Sequence, residues 1–215
     1  MKKVSKLVAL VLVFVMAMSL IACGGSKSAE KLYGTWSSEF DLTGEMLKQL
    51  GSDFADFEGE LKFTIYFDFN EDGTCKLYAD KDELSTDMNA WIDSVLEYAI
   101  NKMYEQFEAQ GIDKETADAA IEKQFGMPID QYMGDLVRGS IDIDSMAAEM
   151  ETTGVWEAKG DKLYMDEKEI QKNAYDIFKV EGDVLTIDAA EGADASDVFS
   201  GIEGMDYPFT FNRVK

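Results

Sequence analysis

Residues 60–79 read ELKFTIYFDFNEDGTCKLYA. Leu61, Phe63, Ile65, Phe67 and Phe69 alternate with Lys62, Thr64, Tyr66 and Asp68. A period of two sends successive side chains to opposite faces of an extended chain, so the apolar set shares one face. The rhythm resumes after Asn70-Glu71-Asp72-Gly73, with Cys75, Leu77 and Ala79 in step. Two such runs joined by a short Asp-Gly turn predict a β-hairpin with one buried face.

The turn invites a second reading. Asp68, Asn70 and Asp72 stand at alternate positions before Gly73, which is how a calcium loop of the EF-hand type opens. Such a loop needs a bidentate Glu at its twelfth position and helices on both sides. The twelfth residue here is Ala79, Asp80 comes one too late, and both flanks read as strands. Asn70 and Asp72 bonding to the turn backbone, with Gly73 supplying positive φ, accounts for each residue. The turn is therefore adopted. Asp68, Asn70 and Asp72 are kept as the metal candidates, and no metal or cofactor is assigned.

Outward from the hairpin, LYGTWSSEF (32–40) reads as a preceding strand, and 41–59 as a short amphipathic helix or a loop that folds back. Beyond the hairpin the period changes. Met88, Trp91, Ile92, Val95, Ala99, Met103 and Phe107 recur at three and four, which predicts an amphipathic helix over 86–109. Asp113 is placed to cap a second helix to about 124. Pro128 is placed to start a third to about 137, and 142–150 form a short fourth. Asp142 and Asp144, in IDIDS, suggest metal ligands but fit a helix cap better. The Trp, Tyr and Met stripe is read as core packing.

Strand patterns return near 153–159, 162–166, 174–180, 184–188 and 207–214, with an acidic, glycine-rich loop at 189–206. Gly-Asp turns join neighbours, which favours an antiparallel meander. Eight strands can roll shut, removing both unpaired edges and leaving room for side chains or one small ligand. The expected fold is mostly β with an α insertion: an eight-stranded antiparallel up-and-down barrel over 32–215. It carries a helical insert, about 86–150, between strands three and four. The insert's apolar face is expected on the barrel's outer wall or across one mouth.

The N-terminus carries a different signal. Lys2, Lys3 and Lys6 precede an apolar run from Leu7 to Ala22, the order of a secretory signal. The run is shorter than the ~20 residues that span a bilayer. Leu20-Ile21-Ala22-Cys23 resembles the bacterial lipobox. The resemblance implies cleavage after residue 22 and acylation of Cys23, including a palmitate-type chain. Residues 23–31 then form the lipidated cysteine and a flexible tether. Two or three acyl chains, at ~0.8 kcal/mol per buried methylene, hold a protein firmly at a membrane. The expectation is a lipoprotein of the bacterial cell envelope, facing outside the cytoplasm.

The chain has 43 acidic and 20 basic residues, a net charge of −23. Residues 1–22 contain three lysines and no acid, so the remaining 193 residues carry −26. Such a surface repels phosphate backbones, which removes nucleic acid as a partner. There is no histidine, which removes Ser-His-Asp and Cys-His catalysis and most zinc sites. With Cys23 acylated, Cys75 is the sole remaining thiol and no internal disulfide forms. Among 43 acids no glycosidase-like pair stands out, so no enzymatic activity is expected.

Gly34-Thr35-Trp36 on the first strand is similar to the G-x-W signature of lipocalins, and Arg213 on the last strand stands where that family places an arginine. The resemblance covers roughly 32–79 and 152–215. It implies that Trp36 and Arg213 pack together across a closed barrel end, with Gly34 permitting close approach. It departs from the family in lacking a Thr-Asp-Tyr motif and a helix after the last strand, and in carrying the insert. The function expected is a non-catalytic binding module, held at a membrane, for a small apolar ligand or an envelope protein. The alternative is an interaction protein whose barrel is filled by its own side chains.

Overall fold

A computed structural model of the chain describes residues 27–191 and 207–215. The signal segment 1–22, the acylation candidate Cys23 and most of the 189–206 loop lie outside the described residues.

Eight strands form one closed antiparallel barrel in chain order: β1 (Gly34–Asp41), β2 (Lys62–Phe69), β3 (Thr74–Ala79), β4 (Thr152–Lys159), β5 (Lys162–Asp166), β6 (Asp176–Glu181), β7 (Val184–Ala189) and β8 (Phe209–Arg213). Every strand pairs with its neighbours in sequence, and β8 returns to β1 through Trp36 opposite Arg213 and Ser37 opposite Asn212. The architecture is compatible with a lipocalin-like fold. On β2 the burial alternates without exception, and Phe63, Ile65, Phe67 and Phe69 are all buried. On β3 it is Cys75, Leu77 and Ala79.

Most of those inward residues pack together inside the barrel. One continuous core joins residues from all eight strands, among them Trp36, Phe67, Leu77, Trp156, Phe178 and Phe211. Rings meet across strands that are not adjacent: Phe67 on β2 lies 6.0 Å from Phe211 on β8, and Phe69 on β2 lies 4.9 Å from Trp156 on β4. An eight-stranded barrel is just wide enough for its own side chains or one small ligand. Large aromatics on β2, β4 and β8 project into that space.

Among the described residues five α-helices belong to the connections. α1 (Thr43–Leu50) follows β1. α2 (Lys81–Ala109), α3 (Lys114–Phe125), α4 (Ile129–Ser140) and α5 (Ile143–Glu149) form the insert between β3 and β4. Leu84 at the start of α2, with Ile143, Met146 and Met150 around α5, packs on the inward residues Phe63, Ile65 and Ala79. The insert thus lies across the rim formed by β1–β3. Farther along α2, Met88, Trp91, Ile92 and Leu96 bury against Phe57, Leu61 and the apolar side of α1. The long first connection and the insert therefore share a second core.

Several boundaries differ from the sequence reading. α2 begins at Lys81 instead of residue 86, because Asp80 caps it by accepting bonds from Asp82 N and Glu83 N. The acidic first turn that follows suits the positive helix N-terminus. At the start of the domain, Ala29–Lys31 form a 3-10 turn and Ala29 and Leu32 are buried. Residues 29–31 thus belong to the barrel floor and not to a free tether. β1 and β8 are each two residues shorter at their N-terminal ends than expected, starting at Gly34 and Phe209.

Candidate functional site

The closed end of the barrel brings together Gly34, Trp36 and Arg213. The Arg213 guanidinium carbon stands 4.0 Å from the Trp36 ring centroid, a cation–π stack. Its Nη1 donates to Tyr33 O at 2.7 Å and its Nη2 to Lys31 O at 2.6 Å. The Trp36 indole donates to Leu32 O at 2.7 Å. Gly34 has φ +109°, and a Cβ there would lie 3.4 Å from the Arg213 Nη1. Both terminal guanidinium nitrogens and the indole N–H are thus turned onto backbone carbonyls. The cluster is a floor, fixing the chain's entry to the barrel.

The hairpin turn uses its polar residues on itself. Asp72 Oδ1 accepts from Thr74 N at 3.0 Å and from Thr74 Oγ1 at 2.7 Å, and Asn70 Nδ2 donates to Thr74 Oγ1 at 3.0 Å. Those bonds hold the Asp72 carboxyl below its ordinary pKa, the threonine hydroxyl contributing most. Asp68 sits in β2 between Thr35 of β1 and Lys76 of β3, apart from the turn. Asp142 and Asp144 also separate: Asp142 caps α5 through Ser145, while Asp144 pairs with Lys81 at 2.8 Å. Among the described residues no group of three or more His, Cys, Asp and Glu is arranged to hold a metal ion.

Inside the barrel lie one pair not foreseen from sequence, Asp176 with Tyr207, and the thiol of Cys75, on the face the alternation assigned it. Asp176, fully buried at the start of β6, accepts a 2.7 Å bond from the Tyr207 hydroxyl. Burial, and then that bond, push the Tyr207 pKa well above its ordinary value. Cys75 is buried, and burial raises its thiol to about 12, so it is held neutral at ordinary pH. A signal for the first was present in the sequence, since an Asp at an inward strand position requires a partner. The identity of that partner depends on closure of the barrel.

The insert carries the open surfaces. A cleft of about 570 Å³ lies where α2, α3 and α4 meet, lined by Ile100, Tyr104, Asp118, Glu122, Ile129 and Asp130 among others. A second, of about 480 Å³, continues from it along α2 and α4 and shares Ile100, Asn101 and Asp130. At one end Tyr104 donates its hydroxyl to Asp118, and Lys114 Nζ reaches Asp118 Oδ2 at 3.0 Å while standing 3.8 Å from the Tyr104 ring centroid. The Asp118 carboxyl is held below its usual range, first by the Tyr104 hydroxyl and then by Lys114. At the other end Arg138 pairs with Asp93.

Among the described residues no helix is long and apolar enough to cross a membrane. Compared with known protein families, with curated proteins and with solved structures, the chain matches none of them.

Proposed function

We propose that this protein is a lipid-anchored envelope lipoprotein of lipocalin-like build. In this reading its barrel is a filled scaffold and its helical insert is the face that meets a protein partner. The lipobox-like Leu20-Ile21-Ala22-Cys23 supports the anchor. From Cys23 only five residues separate the acyl chains from the turn at Ala29, so the domain rides close to the bilayer.

The observation that carries the reading is the packed lumen. Capture of an apolar ligand needs a hollow, and the Phe67–Phe211 and Phe69–Trp156 contacts occupy the space where it would lie. The insert, by contrast, devotes five acidic side chains and an apolar floor to open clefts that no element of the described chain covers. The reading assigns no reaction and no cofactor.

Site-specific photo-crosslinking in the producing cell tests it. A benzophenone side chain at Lys123 or Leu136, both exposed on the insert, is expected to give discrete protein adducts. One at Lys179, exposed on the barrel wall, is expected to give none. Adducts from the wall alone would reverse the assignment.

A further inference from the structure

The two clefts on the insert are one trough. They share Ile100, Asn101 and Asp130, and their combined floor is apolar: Leu96, Ile100, the Tyr104 ring, Pro128 and Ile129. Along α2 the lining residues Asp93, Glu97, Ile100 and Tyr104 follow helical spacing. At 1.5 Å per residue that stripe is about 16 Å long. A small amine would fill only part of it, whereas two to three turns of a helix match its length.

Acidic side chains predominate along the rims. Asp93, Glu97, Asp118, Glu122 and Asp130 line the trough, against two cations, Lys114 and Arg138. Both cations are already engaged, Lys114 with Asp118 and Arg138 with Asp93. Glu97, Glu122 and Asp130 form no ion pair among the described residues and are exposed. A second copy of this chain, itself at −23, would bring the same sign to the contact.

Resting on the reading of the insert as the partner-binding face, we infer that this trough docks a basic amphipathic helix of a partner protein. The helix lays apolar residues on Leu96, Ile100 and Ile129 and sets its lysines or arginines against Glu97, Glu122 and Asp130. Helix-in-groove recognition of this kind takes its anchors at i, i+3, i+4 and i+7. Opposite charges along the rims add on-rate and register.

The test uses the purified full chain and a fluorescein-labelled synthetic helix of alternating Lys and Leu at helical spacing, about 14 residues or ~21 Å long. Fluorescence anisotropy reads the binding. Saturable binding is expected, weakened by about tenfold or more in the Glu97→Lys, Glu122→Lys pair and by less than about twofold in Glu71→Lys, Asp161→Lys. The control pair changes net charge equally, at exposed turns of the far barrel end. A third variant, Ile100→Ser, is expected to weaken binding without altering charge. Circular dichroism verifies that each variant is folded.

Equal loss in both charge pairs, or none in either, overturns the trough. In that event the crosslinks from Lys123 or Leu136 still decide whether the insert meets a partner elsewhere on its surface. Displacement of the peptide by micromolar spermidine would overturn the proposal in favour of a small polycation.

Discussion

Arg213 illustrates how one side chain can hold a barrel shut. It covers the Trp36 ring and bonds two carbonyls that precede β1, so the last strand fixes the first. Arg213→Ala should cost about 2–3 kcal/mol in urea unfolding, from the lost stack and two charge-assisted bonds. Arg213→Lys should recover little of this, because a point ammonium lacks the planar fork that reaches two carbonyls while covering a ring. The buried thiol is a second residue-scale test. At pH 8 Cys75, raised to about 12 by burial, should resist a thiol reagent in the native chain and react once it is unfolded. If Cys23 is acylated, the unfolded chain presents one reactive thiol in total; an unprocessed chain presents two. Tyr207→Phe removes the hydroxyl that Asp176 accepts from, and a loss of about 1–3 kcal/mol is expected from that buried pair.

Among the elements, three helices of the insert are set by aspartates at their starts, and α4 starts after Pro128. Asp80, Asp113 and Asp142 each accept backbone bonds from the first turn of α2, α3 or α5. Asp80→Ala should cost about 1 kcal/mol, seen as a lower thermal midpoint. Asp113 and Asp142 also titrate below their ordinary values, chiefly through bonds from Thr116 and Ser145. The sign follows from linkage. A carboxyl with a depressed folded pKa adds stability that is present above the unfolded value of ~3.9 and is lost as pH falls through the folded one. Asp113→Asn keeps a capping oxygen but cannot titrate. The acid limb of its midpoint-against-pH curve should therefore be shallower than that of the parent, with little change at pH 7.

These elements were legible to different degrees. The hairpin of β2 and β3 could be read residue by residue, because one face is buried and the other wet. The start of α2 could not be read from its apolar stripe, since Lys81-Asp82-Glu83 carries none. The cap signal lay in Asp80 itself, which the strand pattern before it had absorbed.

For the whole molecule, the order of strands and the place of the insert followed from short turns and a change of period. Closure followed from the Trp36 and Arg213 pattern. The trough did not. Its residues come from three helices whose mutual packing is set by the core beneath them, around Trp91 and Leu96, and no spacing in the chain states which outward faces meet. The same holds for Asp176 and Tyr207, which are joined only because β6 and the entry to β8 both flank β7.

The account rests on a barrel occupied by its own side chains, with recognition moved to the insert. Titration of the full chain with a fluorescent fatty acid tests this most directly. No saturable signal is expected. One-to-one binding with energy transfer from the core tryptophans Trp36 and Trp156 would mean the lumen receives a ligand, and would contradict the account.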